Sequence, residues 1–302
     1  MKKRPLRPNS PQPDAGRRVL SPRDVAAALG VSESSLKRWV DEGLIEATRT
    51  AGGHRRILAS EAIRYVRQAG LRLERPELLG LGASPEDGHA DPTAVAGALR
   101  RADPATARAL LVGAFLGGAS IATICDTLIR PALAAIGEEW VLGPRGIVDE
   151  HRATETLMSV LVGLRGMLPD PGEAAPVAIG AGAPSDPYFL PTLAASAVLW
   201  EAGFRSVNLG ADLPPSAITE AIVAHQPLLV WMSVSAPVTR ERYADLIAPV
   251  AARATRAGAR FVVGGRGAAP VARPPVATEA FAGSMVELAS MARGILARGR
   301  TA

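Results

Sequence analysis

Three short phrases hold the residues best placed to do chemistry. In GAPSDPYFLP (182–191), Asp186 and Tyr188 sit in a loop of Pro and small residues directly ahead of a long apolar helix. Ligands of α/β proteins are held at such strand-to-helix loops. In GEEWVLGPRGIVDEH (137–151), Trp140 closes one helical phrase, and Glu150 and His151 open the next. Taken alone, the acid–imidazole pair is helix-start electrostatics on a solvated face, and the indole is a core side chain. WMSVSA and VVGGRG place Ser233, Ser235, Gly264 and Gly265 at strand ends, where small residues let backbone or ligand approach. The single cysteine, Cys125, lies in the apolar phrase IATICDTLI and is expected to be a buried thiol. No general acid–base pair and no metal-ligand spacing emerges, so no catalytic or metal residue is assigned and an enzyme is not expected.

The elements that position these residues must come from a chain of 302 residues, enough for two or three domains. A hydrophobic share of 48% against 21% charged residues implies a globular protein with a sizeable core. With aromatics at 4%, that core has to be built from Ala, Leu, Val and Ile. No apolar run is long enough for a membrane span, and the basic start has no apolar stretch behind it, so neither membrane nor secretion is expected. One cysteine excludes an internal disulfide framework and fits a reducing cytoplasm. The charge is uneven. Residues 1–70 carry fourteen Lys/Arg against seven Asp/Glu, a net of +7, while the whole chain carries only +5. A polyanion partner is to be sought in the first quarter.

Residues 1–19, rich in Pro and Arg, predict a disordered tail. SPRDVAAALG then carries a helix N-cap at Ser21, Pro22 at the first helical position and a terminating Gly30. Ser32 caps a second helix that closes at Gly43, with Ser34, Ser35, Lys37 and Arg38 in its early turns and Val31, Leu36, Trp39 and Val40 as its inner stripe. Two short helices across a tight Gly turn make a helix-turn-helix, whose second helix enters the major groove. LIEATRTAGGHRRIL predicts a hairpin wing with His54, Arg55 and Arg56 at its tip, suited to phosphates or a narrow minor groove. A third helix follows, with Ser60 as its expected cap. Over residues 20–68 this phrase closely resembles the MerR-type winged helix-turn-helix, in helix spacing, Trp39, the Gly-Leu exit and the GGHRR wing. Residues 71–91 contain Pro, several Gly and no sustained heptad, and read as a linker rather than a dimerising coiled coil.

From 92 to 170, four stretches with apolar residues at three-to-four spacing predict a four-helix bundle. From 175 to 302, near-continuous apolar strands alternate with amphipathic helices, which implies a flavodoxin-like, Rossmann-type parallel α/β domain. The order of winged helix-turn-helix, helical bundle and flavodoxin-like domain resembles the cobalamin-dependent photoreceptor repressors of the CarH/LitR type. The last two parts are also similar to the cobalamin module of methionine synthase. The resemblance implies that Trp140, Glu150 and His151 cover the upper axial group of a cobalamin. It also implies that Ser233, Ser235, Gly264 and Gly265 lie against its buried nucleotide tail. In the family an Asp/Glu-x-His-x-x-Gly loop supplies a cobalt ligand. Here Asp186 matches, but Tyr188 stands at the His position and Pro191 at the Gly position. A second ligand position, directly after Trp140, is Val141.

A neutral tyrosine is a poor cobalt ligand and valine offers no donor, so the family's light-driven bis-histidine switch is not expected. Three states of the cavity stay open: a cobalamin keeping its own base on the metal, another tetrapyrrole, or a module kept for oligomerisation. The expected protein is a cytoplasmic DNA-binding regulator, a repressor by resemblance, acting on light- or tetrapyrrole-linked genes such as those of carotenoid synthesis. Its expected partners are a double-stranded operator, a chromophore and further copies of itself, as dimer or tetramer. A ligand-independent repressor with a relic sensor is the first rival. A corrinoid carrier or enzyme with an appended DNA head is the second.

Overall fold

The computed structural model describes residues 18–50, 52–81, 90–137, 144–269, 271 and 279–299. Expected site residues Trp140 and Val141 lie outside the described residues. The chain divides into two compact units, one of residues 1–83 with 166–169, the other of residues 84–165 with 170–302.

In the first unit the Ser21 hydroxyl accepts from the Asp24 N–H at 3.2 Å and opens α1 (Pro22–Leu29), which ends at left-handed Gly30, φ 66°. Ser32 caps α2 (Glu33–Asp41) by accepting from Ser35 N–H at 3.1 Å. The wing is β2 (Thr48–Arg49) against β3 (Arg55–Leu58), antiparallel. Two sequence expectations need correction here. Val19–Leu20 is not tail but β1, paired antiparallel with β3. This pairing brings the Arg18 carbonyl to the Ala59 N–H at 2.9 Å, so α3 (Ala59–Ala69) starts at Ala59 without a side-chain cap, and Ser60 lies buried inside it. The supposed linker also differs. Glu74 and Arg75 donate their N–H groups to the Ala28 carbonyl, a 3-10 turn covers Pro76–Leu79, and Leu79 and Leu81 are buried. Apolar side chains spaced without a helical period still close the α1 face of this unit.

The second unit begins with α4 (Pro92–Arg100) and α5 (Pro104–Leu116), capped by Asp91 and Asp103 with Pro at the first position of each. Next come α6 (Ile121–Ile124), a π-helical turn over Cys125–Ile129, α7 (Arg130–Gly137) and the long α8 (Pro144–Gly166). The remainder alternates: β4 (Val177–Gly182), α9 (Phe189–Glu201), β5 (Arg205–Asn208), α10 (Pro215–His225), β6 (Leu229–Ser233), α11 (Arg240–Arg256), β7 (Arg260–Gly264), β8 (Glu279–Ala282) and α12 (Met285–Gly299). The sheet is parallel throughout, in the order β5-β4-β6-β7-β8. This is the flavodoxin-like order, with its crevice where the order reverses between β4 and β6. Strand β8 was missed by the sequence reading. It is a four-residue edge strand, too short to show a period.

Alternation along the strands separates the two faces of the sheet. Ile179, Ala181, Val230, Met232, Phe261 and Val263 join the core with Leu246, Ile247 and Val250 of α11. The opposite face carries Gly180, Gly182, Trp231, Ser233 and Gly264, and Thr192 of α9 lies against Gly182. The bundle is joined to this α9–α12 layer by two long-range caps. Asp126, in the π turn, accepts from the N–H groups of Met285 (3.1 Å) and Val286 (2.9 Å) at the start of α12. Glu201, at the end of α9, accepts from Ile121 N–H at 2.7 Å. Each carboxylate satisfies donors that a helix start leaves unpaired.

Candidate DNA interface and ligand site

On α2, positions 34, 37, 38 and 41 fall on one exposed face, as residues three and four apart must. Ser34, Lys37 and Arg38 are exposed there, and Ser35 is half-buried. The Ser32 hydroxyl lies 2.8 Å from that of Ser34 and 3.0 Å from that of Ser35, a hydroxyl cluster at a helix N-terminus. Leu36 is the buried anchor, and Trp39 stacks at 4.8 Å on Tyr65 of α3. Glu61 is buried, receives the Arg64 guanidinium at 2.8 Å and accepts weakly from Glu46 N–H, while Arg64 also donates to the Leu44 carbonyl. The Glu61 carboxylate holds the Arg64 guanidinium above its ordinary pKa. That pair fixes the chain as it leaves α2 for the wing.

The two wing arginines have different surroundings. Arg55 shares its inward face with buried Ile57 and forms an ion pair with Asp41 at the end of α2. Arg56 alternates to the outer face, beside Thr48 and exposed Leu58. His54 is exposed at the tip. Sequence reasoning missed Arg49. It pairs in register with Arg55 and donates to the Gly53 carbonyl at 3.4 Å, and the hairpin's period of two could have placed it.

In the second unit, Asp186 spans the crevice between β4 and β6. It is 2% exposed, and its carboxylate accepts from the N–H groups of Tyr188 (3.1 Å), Ala236 (3.3 Å) and Ser235. Ser185, in left-handed conformation at φ 63°, donates its N–H to Asp212 at 2.6 Å. The loop is therefore tied to the segments after both neighbouring strands by carboxylates that accept from main-chain N–H groups. Tyr188, 41% exposed, stands just before α9 and is followed by Phe189, 39% exposed, whose ring lies against Gly210. Both partly exposed aromatics thus stand in the loop that follows the carboxyl end of β4.

Ser233 and Ser235 are buried and their hydroxyls lie 3.1 Å apart, bonded to each other. A Cβ on Gly265, φ 112°, would fall 2.3 Å from the Val234 carbonyl oxygen, and one on Gly264 would fall 3.0 Å from that of Ala282. Glycine is required at Gly265 because protein backbone passes over it. Glu150 accepts from the Thr154 hydroxyl at 3.1 Å and lies 3.7 Å from the exposed His151 ring. Among the described residues neither is bonded to Asp186 or Tyr188. The only cysteine, Cys125, is fully enclosed, and burial, reinforced by Asp126 and Glu201, pushes its thiol up to about 12. It is inert by that measure. Among the described residues no His, Cys, Asp or Glu cluster is placed to hold a metal ion, and no helix is long and apolar enough to cross a membrane.

Residues 21–57 match the MerR family regulatory protein family, and residues 93–162 match the B12 binding domain family. The chain joins a MerR-family head to a B12-binding domain. Three solved structures match parts of the chain. The monomethylamine corrinoid protein of Methanosarcina barkeri is 19% identical with a TM-score of 0.49, over 67% of this chain and 96% of that one. The methanol:cobalamin methyltransferase complex MtaBC of the same organism is 14% identical with a TM-score of 0.36, over 88% and 93%. A cobalamin-binding protein from Desulfitobacterium hafniense DCB-2 is 18% identical with a TM-score of 0.31, over 70% and 98%. Such scores bear on neither ligand nor activity. No curated protein matches the chain.

Tested against a cobalamin, the residues present fit in part. Tyr188 and Phe189, both partly exposed ahead of α9, are the side chains able to lie against a flat ring. The small residues expected beside a nucleotide tail are instead packed against protein backbone, and the cleft beside Ser235 and Gly267 is about 160 Å³. Small-molecule pockets usually measure about 300–1,000 Å³. A buried tail does not fit.

Proposed function

We propose that the chain is a DNA-binding transcriptional repressor whose second unit senses a tetrapyrrole, either a cobalamin or another chromophore. The observation that carries this reading is the pairing, in one chain, of an exposed basic helix face and wing with a B12-binding domain. Ser34, Ser35, Lys37 and Arg38 read the major groove, and His54 and Arg56 meet the phosphates beside it. Arg55 holds the wing against α2. The tetrapyrrole lies against Tyr188 and Phe189, over a loop fixed by Asp186, with Glu150 and His151 on its far side.

Neither Tyr188 nor Val141 can supply imidazole, so any response to light proceeds without a histidine at either of these two positions. The closed tail region favours a second reading, in which the second unit binds no ligand and serves only to pair subunits. One experiment separates the two. The purified full chain is mixed in turn with hydroxocobalamin, haem and biliverdin, and its visible spectrum is read together with its affinity for selected operator DNA. A bound spectrum and a changed operator affinity are expected. DNA binding with no spectrum leaves the subunit-pairing reading, and failure to select any DNA removes both.

A further inference from the structure

The sheet face beneath α9 carries small residues toward its carboxyl edge, Gly180, Gly182, Ser233 and Gly264, beside the larger buried side chains of Leu229, Trp231 and Val262. Trp231 is 2% exposed, and its ring lies directly over Gly180, where a Cβ would fall 2.2 Å from Cδ2. Its Nε1–H is buried and, among the described residues, has no hydrogen-bond partner. A buried indole normally finds one. This indole therefore sits there for its bulk, at the cost of an unmet donor. Toward the carboxyl edge, Ser233 and Ser235 bond to each other, and a Cβ on Gly267 would meet the Ala236 carbonyl oxygen. The seam between sheet and α9 is thus filled by Trp231 over Gly180 and closed by backbone at its carboxyl edge.

We propose that Trp231 is a specificity-determining plug: the module takes a planar tetrapyrrole on its carboxyl edge and excludes a nucleotide arm from the seam between sheet and α9. This rests on the tetrapyrrole reading above. Cobalamin and cobinamide share one corrin ring and differ in that arm, so the comparison isolates it.

The full chain is titrated with hydroxocobalamin and with cobinamide. The two should bind within about threefold of each other, and bound cobalamin should keep the spectrum of benzimidazole on cobalt, because an arm left outside contributes no contact. In the Trp231→Ala variant, checked for folding by circular dichroism, cobalamin should gain about tenfold over cobinamide and lose the benzimidazole-bound spectrum. Trp231→Phe keeps most of the bulk and should behave as wild type. Wild-type protein that binds cobalamin with its base displaced, or about tenfold more tightly than cobinamide, overturns the plug while leaving the sensor reading intact. So does a folded Trp231→Ala variant with unchanged preference. Should Trp231→Ala not fold, the wild-type comparison decides alone. If no tetrapyrrole binds either protein, the sensor reading falls and the plug with it.

Discussion

At the scale of single residues, the two adjacent arginines of the wing make different predictions despite identical chemistry. Each phosphate neutralised contributes a slope of about −0.9 to the dependence of log affinity on log salt. Arg56 faces outward, so Arg56→Ala should lower the slope by about that amount, read by fluorescence anisotropy across a salt series. Arg55 is paired with Asp41. Arg55→Ala should leave a bare carboxylate near the phosphates, and adding Asp41→Asn should recover part of the lost affinity. An Arg55→Ala loss untouched by Asp41→Asn would place Arg55 on the DNA instead. Strand alternation separates Arg55 from Arg56, and it was available in the sequence. The Asp41 pairing was not, because it joins elements whose approach depends on Glu61 and Arg64. Cys125 gives a second prediction at this scale. Its thiol ordinarily ionises near 9.0 and is pushed to about 12 by burial. The unfolded chain therefore releases that proton first, so Cys125 lowers stability as pH rises from about 9 to 12. At pH 8 the native protein should resist alkylation, and reaction measured by mass spectrometry should track unfolding.

At the scale of elements, local punctuation was legible and distant punctuation was not. Ser21, Ser32, Asp91, Asp103 and Ser120 each cap a helix three residues on, a relation written within a few letters of sequence. Asp126 and Glu201 perform the same chemistry across the bundle–sheet junction, 159 and 80 residues away, and nothing local marks them. Ser60 shows the converse. It has the right type and spacing for a cap, but the carbonyl of Arg18, just ahead of β1, had already supplied what the helix start needed. Tyr188 and Asp186 were legible as a loop ahead of a helix. Trp231 was not legible as a plug, because its position over Gly180 exists only once β4 and β6 are in register. The junction makes a testable demand. Asp126→Ala strips the acceptor from two N–H groups at the start of α12 and should cost about 1–2 kcal/mol in urea unfolding. Glu201→Ala removes one acceptor and should cost about 1 kcal/mol. Hydrogen exchange should quicken at Met285 and Val286 in the first variant and at Ile121 in the second. Uniform exchange rates would mean the caps add nothing at the junction.

At the scale of the whole molecule, charge and composition assign the labour. The first seventy residues hold a net of +7 and the rest is slightly acidic, so nearly all electrostatic attraction to a polyanion belongs to the head. A single helix-turn-helix reads one half-site, and two-fold operators require two. Residues 71–81 cannot act as a dimerising coiled coil, since they fold back onto the head through Glu74, Leu79 and Leu81. If subunits pair through the second unit, the second head binds intramolecularly. Linking two modules in this way typically raises avidity by about 10²–10⁴ without any new contact. The full chain should accordingly prefer a DNA fragment with two inverted half-sites over one with a single half-site by about a hundredfold or more. The preference should shrink on dilution below the subunit dissociation constant measured by analytical ultracentrifugation. A chain that self-associates yet binds both fragments equally would mean that the second unit joins subunits without presenting their heads to one operator. The ligand would then have no route to DNA affinity through assembly, and only a direct effect on each head would be left to carry regulation.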